Sequence, residues 1–378
     1  MIHFVVGTRA QLLKLAPVMQ ECSSRGLAWR WIYTAQHKRT IDEILSFFDL
    51  EEPDYVMGHR GDEARSLGRM ASWASSAVRE IIRPRTALGG MTGTNHIVLT
   101  HGDTFSTVVG ALLGKLTRTP VMHVESGLRS YRLFDPFPEE LNRLATFALT
   151  EFYACPGPRA LRNVARYRGR KIDTGANTQV DVLDYGLRNL HKSRLVPPAE
   201  AYAVVSVHRY ENVYSRRRFG IIVDAIESAA ERLHVVMPRH PVTESRLERL
   251  GWTGRLEANP RIRLLPRLPY EDYLKLIANA EFVMTDGGGN QEELSYLGVP
   301  TLVLRDRSER EEGLGENAVL SRLDQETMNE FFLSYERHRR ATKTRSHRPS
   351  SLITDVIARY GGAEPAAASR ANRESIAR

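Results

Sequence analysis

The 378-residue chain predicts a parallel α/β protein built from two doubly wound sheets. Three observations predict it. Short β-rich runs alternate with helix-length amphipathic segments from end to end. The β-rich runs fall into two sets of about five, separated by a polar, proline-bearing stretch. The polar clusters follow directly after β-rich runs, where open α/β sheets hold their ligands.

In the first half the strand candidates are His3–Val6, Trp29–Tyr33, His96–Thr100, Val121–Val124 and Phe152–Cys155. In the second they are Ala203–Val207, Leu233–Pro238, Ile262–Leu265, Phe282–Thr285 and Thr301–Leu304. The boundary is expected within Thr174–Pro198, where Thr178–Arg188 reads as a helix and Lys192–Pro198 as a polar link. This gives a first domain over 1–174 and a second over 175–345, followed by a closing amphipathic helix at about 350–361. Residues 362–378, rich in Ala, Ser and Arg, read as a disordered tail.

Composition narrows the function classes. The chain is 42% hydrophobic and 26% charged, ordinary for a globular protein. No apolar run approaches the roughly 20 residues of a membrane span, so membrane insertion is not expected. Met1–Val6 reads as a first strand and lacks the basic region and apolar core of a secretion signal. Cys22 and Cys155 make neither a disulfide framework nor a metal cluster, and the cytoplasm is the expected compartment. From Arg337 onward, ten Lys/Arg against three Asp/Glu supply +7 of the net charge of +8. The body is therefore nearly neutral, and without an aromatic-rich basic motif no nucleic-acid partner is expected.

The polar clusters are Gly7-Thr8-Arg9, His101-Gly102-Asp103-Thr104, Glu125-Ser126-Gly127, His208-Arg209 and Asp286–Asn290. The last belongs to Thr285-Asp-Gly-Gly-Gly-Asn-Gln-Glu-Glu293, a glycine turn between a strand run and a helix run beginning at Gln291. Glycines let a backbone approach an anion closely, and the unpaired N–H groups of a first helical turn point at it. Glu292 and Glu293, one turn in, can reach the hydroxyls of a ribose. The stretch therefore reads as the diphosphate grip of a sugar-nucleotide protein.

With these motifs in order, the chain resembles the UDP-N-acetylglucosamine 2-epimerase family. The resemblance rests on Gly7-Thr-Arg-Ala-Gln-Leu-Leu-Lys14-Leu-Ala-Pro17, His101–Thr104, His123-Val-Glu-Ser-Gly-Leu-Arg129 and Pro138-Glu-Glu-Leu-Asn-Arg143. Thr174-Gly-Ala-Asn-Thr178, His208-Arg-Tyr-Glu-Asn212, His240-Pro241, the glycine run and Ser308-Glu309-Arg310 continue it to about residue 320. It implies a GT-B fold, with two Rossmann-like domains facing across a cleft and the last helix crossing back to the first. It also implies inversion at C2 of a UDP-sugar in cell-surface polysaccharide or related sugar biosynthesis, and a homodimer.

That chemistry dictates a set of groups. Departure of UDP from C1 acidifies the C2 proton. A base near C2, cations and N–H groups for the diphosphate and a proton donor on the opposite face then complete the inversion, with no metal or redox cofactor. The resemblance makes Asp103, Glu125 and Glu139 the acid/base candidates, with Lys14, His208 and Arg143 beside them. Arg9, His240, Gly287, Gly288, Gly289, Glu293 and Arg310 are the candidates for binding the UDP-sugar. Plainer readings stand next to these. Asp103 can cap the helix that follows. Glu125 ends a buried strand and needs a partner. Glu139 and Arg143 have the four-residue spacing of a helical ion pair. Arg9 is expected in the turn and Lys14 on the helix. His208 can be a satisfied structural histidine.

Some positions depart from the family pattern. Gly287 stands where a phosphate-binding serine is usual, Glu311 replaces a proline, and Ala35-Gln36-His37 lacks its leading glycine. Arg39 and Arg65 stand where some bacterial members carry glutamines for a second, regulatory sugar nucleotide, so that regulation is not expected. The rival readings are a hydrolysing 2-epimerase, an epimerase of a uronic or diacetamido sugar nucleotide, a GT-B glycosyltransferase and a non-catalytic nucleotide-binding protein.

Overall fold

The computed structural model describes residues 1–34, 41–57, 83–133, 138–308, 310–343 and 348–361. Ala35-Gln36-His37, Arg39, Arg65, Glu309 and the tail 362–378 lie outside these residues. The chain divides into two units, Met1–Val182 with the carboxy-terminal helix, and Leu183–Arg345. The division falls inside the Gln179–Arg188 helix.

The first unit holds a parallel sheet of β1 (Ile2–Val6), β2 (Trp29–Tyr33), β3 (Tyr55–Val56), β4 (Ile97–His101), β5 (Val121–Val124), β6 (Phe152–Cys155) and β7 (Arg170–Asp173). Their order is β3-β2-β1-β4-β5-β6-β7. Register pairs Phe4 with both Trp31 and Leu99, and His101 with Val124. The central strands β1, β4 and β5 are buried on both faces, which is why they read as largely apolar runs. Val5, Ile32, Val98, Val109 and Leu113 share one core cluster, and Phe147, Tyr153, Cys155 and Val164 another.

The second unit repeats the plan. β8 (Tyr202–Ser206), β9 (His234–Pro238), β10 (Ile262–Leu265), β11 (Phe282–Thr285), β12 (Thr301–Val303) and β13 (Ala318–Leu320) order as β10-β9-β8-β11-β12-β13, again parallel. Its core runs from Val205 and Val235 through Phe219, Ile222 and Ile226 to Phe282 and Phe331. Phe282, at the start of β11, meets Phe331 edge-on at 5.4 Å and stacks on Phe332 at 5.7 Å.

Each sheet reverses its winding once, between β1 and β4 in the first unit and between β8 and β11 in the second. These are the topological switch points, where loops leaving adjacent strands diverge and leave a crevice beyond the carboxyl ends. Gly7–Arg9, His101–Asp103, His208-Arg209 and Asp286–Gly288 therefore occupy the crevice positions of their sheets.

The carboxy-terminal helix Pro349–Gly361 packs on the first helix, Arg9–Ser24. Asp181 accepts from the Ser350 N–H at 2.8 Å and so caps its first turn. Arg25 pairs with Asp355 and donates to Ser351. Cys22 lies 3.9 Å from the Thr354 hydroxyl, and burial pushes its thiol up to about 12.

Candidate functional site

In the first unit the site begins at the start of the Arg9–Ser24 helix. Thr8 is its N-cap and forms a capping box with Gln11, so Arg9 is already helical rather than in the preceding turn. The Gln11 side chain ties three segments together. Its carbonyl accepts from Gly7 N–H at 2.9 Å, and its amide donates to the His101 carbonyl at 2.7 Å and to Thr107 at 3.0 Å. No side chain was at Gly7's disposal: a Cβ there would lie 1.7 Å from Ser106 Oγ. The loops after β1 and β4 are thereby locked to each other.

Lys14, on the same helix, reaches the end of β5. Its ammonium donates to both Glu125 oxygens, at 3.1 and 3.0 Å. His101 Nε2 stands 3.4 Å from the same carboxylate, and Asn177 Nδ2 donates to Oε1. The Glu125 side chain is only 7% exposed, so the expectation that a carboxylate at the end of a buried strand needs partners is met by an ammonium, an imidazole and an amide. Its backbone is left-handed, with φ +62°, at the sharp exit from β5. Gly127 continues that exit at φ +89°, where a Cβ would collide with the Ala160 carbonyl oxygen at 2.2 Å. Only glycine fits there.

Asp103 does not cap the helix after it. Thr104 is the N-cap residue of Phe105–Leu116, and it makes no side-chain cap. The Asp103 carboxylate instead receives Arg143, from the Glu139–Leu149 helix, while Asn142 Nδ2 donates to the Asp103 backbone carbonyl at 2.9 Å. Arg143 also binds Glu140, at 3.3 Å. The arginine expected to sit four residues from Glu139 on a surface is therefore 8% exposed and bridges Asp103 and Glu140. Burial works against its charge, but these two carboxylates outweigh burial and raise its affinity for the proton. The Asp103 side chain itself is 29% exposed. Glu139 starts the same helix and is half-buried.

Sequence reasoning passed over Glu140, His101, Gln11 and Asn177. Glu140 is fully buried; Arg129 binds its Oε1, and the Ser130 N–H donates to Oε2 at 3.0 Å. Burial alone would raise its proton affinity, yet Ser130 and Arg129 hold the carboxyl below the usual range. Burial of His123, beside Glu125 in sequence, pushes it down to about 4 despite its contact at 2.7 Å with the Gly102 carbonyl. As a neutral ring it therefore donates from Nε2. The signal for Glu140 was in the doubled Glu139-Glu140, of which only the first was singled out. Nothing in the sequence marked Gln11.

In the second unit Asp286, fully buried, anchors the strand ends. Its carboxylate accepts from the N–H groups of His208 and Arg209 and from Asn212 Nδ2, each at 3.0 Å. This fixes the loop after β8 against the loop after β11. His208 has its ring 37% exposed, 3.7 Å from Asp286 and 5.3 Å, centre to centre, from the ring of exposed His240. A histidine so open is not a satisfied core residue.

The glycine stretch corrects one expectation. The helix starts at Gly288 rather than at Gln291, with Gly287 as an N-cap that supplies no side chain. Gly287 has φ −81°, which any residue adopts, so handedness does not explain it. Space does. A Cβ at Gly287 would lie 2.9 Å from His208 Cε1, and one at Gly288 would lie 3.1 Å from Arg310 Nε. Gly289 meets nothing within 4 Å. The glycines thus admit the His208 imidazole and the Arg310 side chain to an uncapped helix N-terminus. Arg310 is held there by Glu292, at 2.7 Å and buried, while Gln291 donates to the Arg310 and Glu312 carbonyls. Glu293 is buried and accepts from the Tyr270 hydroxyl at 2.9 Å. Arg9, expected at the substrate, meets Glu43 at 3.5 Å on the surface of the first unit.

Two parallel sheets with cationic and carboxylate groups gathered at their switch points define a two-unit, doubly wound α/β protein. The family model described as UDP-N-acetylglucosamine 2-epimerase matches residues 20–349, and the chain belongs to that family. A UDP-N-acetylglucosamine 2-epimerase of Methanococcus maripaludis is 30% identical over 347 residues, covering 86% of this chain and 89% of the relative. One of Bacillus subtilis is 30% identical over 320 residues, 82% and 80% of the two chains. The crystal structure of the Methanocaldococcus jannaschii UDP-GlcNAc 2-epimerase in complex with UDP-GlcNAc and UDP matches with a TM-score of 0.79 at 25% identity, covering 95% of this chain and 99% of that one. The Neisseria meningitidis enzyme bound to UDP-GlcNAc matches equally, at 0.79 and 25% over 95% and 99%. The architecture is GT-B, two Rossmann-like parallel-sheet units. Among the described residues no helix is long and apolar enough to cross a membrane.

Proposed function

We propose that the protein inverts C2 of a UDP-N-acetylhexosamine, converting UDP-GlcNAc to UDP-ManNAc by elimination of UDP and re-addition, for polysaccharide or related sugar biosynthesis. The observation that carries the reading is the pair of acids at the ends of β4 and β5. Asp103 is gripped by Arg143 and open to solute, and Glu125 is enclosed by Lys14 and His101. A proton-transferring carboxylate needs a cation to stabilise its anion and a shielded setting in which its proton equilibrium can be tuned. Relatives bind UDP-GlcNAc or carry that activity in their names, which supports the choice of substrate.

In this reading Asp103, Glu125 and Glu139 share the removal and return of the C2 proton, with Lys14 and Arg143 holding the first two in place. In the second unit the helix N-terminus at Gly287–Gly289 receives the diphosphate, with His208, Arg310 and His240 as its side-chain partners. Arg9, in the first unit, is a further candidate for binding the UDP-sugar, and Glu293, already oriented by Tyr270, serves the ribose. An uncapped N-terminus carries a partial positive charge and free N–H groups, so the missing hydroxyl at Gly287 is replaced by backbone donors.

The test is incubation with UDP-GlcNAc in deuterated water followed by proton NMR. Deuterium at C2 of an intact UDP-sugar is expected. Deuterated free ManNAc together with UDP would make the enzyme hydrolysing. Protium retained at C2, under conditions where the protein binds UDP, would sink the epimerase reading.

A further inference from the structure

We infer that Glu140 is a positioning residue that divides the charge of Arg143, and so sets how firmly Asp103 holds its proton during turnover. The inference rests on the proposed role of Asp103 and adds to it a group that never meets the sugar.

The geometry is a chain of alternating charges, Asp103–Arg143–Glu140–Arg129. Its outer member, Asp103, is 29% exposed at the side chain, whereas Glu140 is fully buried and Arg143 and Arg129 nearly so, at 10% and 13%. An acid at the second position of Glu139–Leu149 suits the helix dipole, but that role does not call for burying it. Its carboxylate is taken up by Arg129, Arg143 and the Ser130 N–H. A guanidinium bound to one carboxylate would lend that carboxylate its whole charge. Bound to two, it is shared.

Arg129 offsets the second carboxylate, and its own place is braced. The Tyr131 ring covers its guanidinium with the centroid 4.9 Å away, and the Tyr131 hydroxyl binds Asn163, whose amide donates to the Gly127 carbonyl at 2.8 Å. Tyr131 holds this position with a left-handed backbone, φ +60°. Such conformations persist where surrounding contacts over-determine them. Among the described residues, other charged or titratable groups on the packed elements include Glu139, Lys115, Glu125, Lys14, His101 and neutral His123. Lys14 and His101 are directed at Glu125 and Lys115 at Glu151, whereas Glu140 binds Arg143 directly and Arg129 binds Glu140, so these two act on Asp103 through Arg143.

The signs of two substitutions follow. Glu140→Gln keeps the shape but removes a negative charge, so Arg143 serves Asp103 alone and its anion is favoured. Arg129→Gln removes a cation and turns Arg143 toward Glu140, and protonated Asp103 is favoured. The test is the pH dependence of kcat and kcat/KM for epimerisation, with Asp103→Asn as the control and thermal midpoints measured alongside. Whichever limb reports Asp103 is expected to move to lower pH by roughly one unit in Glu140→Gln and to higher pH in Arg129→Gln. Turnover is expected to fall roughly ten- to a hundredfold in both. A merely structural Glu140 would lower the midpoint and the folded fraction but leave the limbs in place. If either folded variant keeps both limbs while Asp103→Asn is inactive, the inference is overturned and the role of Asp103 stands. If Asp103→Asn turns over normally, both fall.

Discussion

Replacing Lys14 by methionine isolates what the buried ion pair contributes. At 3.0 Å and an effective dielectric constant of about 20, the direct attraction between Lys14 and Glu125 is about 5 kcal/mol. Desolvating two groups that are only 13% and 7% exposed cancels most of it, so the intact pair adds little net stability. Removing one partner is different, because Glu125 would stay buried with its charge uncompensated, at a cost of about 3–5 kcal/mol. His101 at 3.4 Å and the Asn177 amide soften the loss toward the lower end. A loss of about 3 kcal/mol lowers the melting temperature of a unit this size by roughly 6–12 °C. The assay is thermal unfolding of the wild type, Lys14→Met, Glu125→Gln and the double variant. The double variant should recover most of what Lys14→Met loses, since an amide leaves no stranded charge. Equal midpoints for Lys14→Met and the wild type, or a double variant less stable than Lys14→Met, would refute the reasoning.

Three further outcomes are expected. Asp103→Asn should lower turnover by roughly 10²–10⁴ while UDP binding measured by calorimetry changes little, and unchanged turnover removes Asp103 from the mechanism. Gly287→Ala should force His208 off its place, since the new Cβ would lie 2.9 Å from its ring; with a rotamer cost of about 1 kcal/mol, turnover falls roughly fivefold or more while the melting temperature barely moves. An unshifted His208 ring resonance in that variant would count against the space argument. The neutral state of buried His123 makes the fold sensitive to acid. Above about 6.5 both the folded and unfolded forms are neutral, and stability does not depend on this group. Below that the unfolded chain takes up the proton first, so stability declines until the folded ring titrates near 4. The full loss is about 3 kcal/mol, and His123→Gln should flatten the urea-unfolding profile across that window.

The sequence revealed the sheets because their central strands are buried on both faces, and the residues at their carboxyl ends are polar by necessity. The strands it did not reveal are three of the four edges. β3 is two residues long, β13 three, and β7 reads Arg-Lys-Ile-Asp, since an edge strand meets water on one side and carries charge there. The sequence offered candidate residues for the site but not their partnerships. Spacing alone paired Arg143 with Glu139 and gave Asp103 to the helix cap. The fold brings to Asp103 residues 39 and 40 positions away, and no local pattern encodes that. The helix at Gly288 was read three residues late because glycine is a poor helix former. There it is chosen for the room it leaves His208 and Arg310 rather than for its own conformation.

Glu125 shows why the partnerships matter more than the motif. A glutamate at φ +62° costs of order 1–3 kcal/mol in backbone strain, and a glycine would remove that cost. The Ser126 N–H bonded to the Ala154 carbonyl at 2.9 Å and the tight passage of Gly127 under Ala160 fix the loop regardless of the side chain at 125. The strain therefore serves the side chain rather than the turn. The left-handed residue aims its carboxylate back over the end of β4, where Lys14, His101 and Asn177 converge from three separate segments. A purely structural turn would have relaxed to glycine or asparagine, and a purely structural ion pair would not need a histidine as well. Strain kept in place by three independent contacts is the pattern of a group held where chemistry requires it, and it ranks Glu125 with Asp103 at the centre of the proposed reaction.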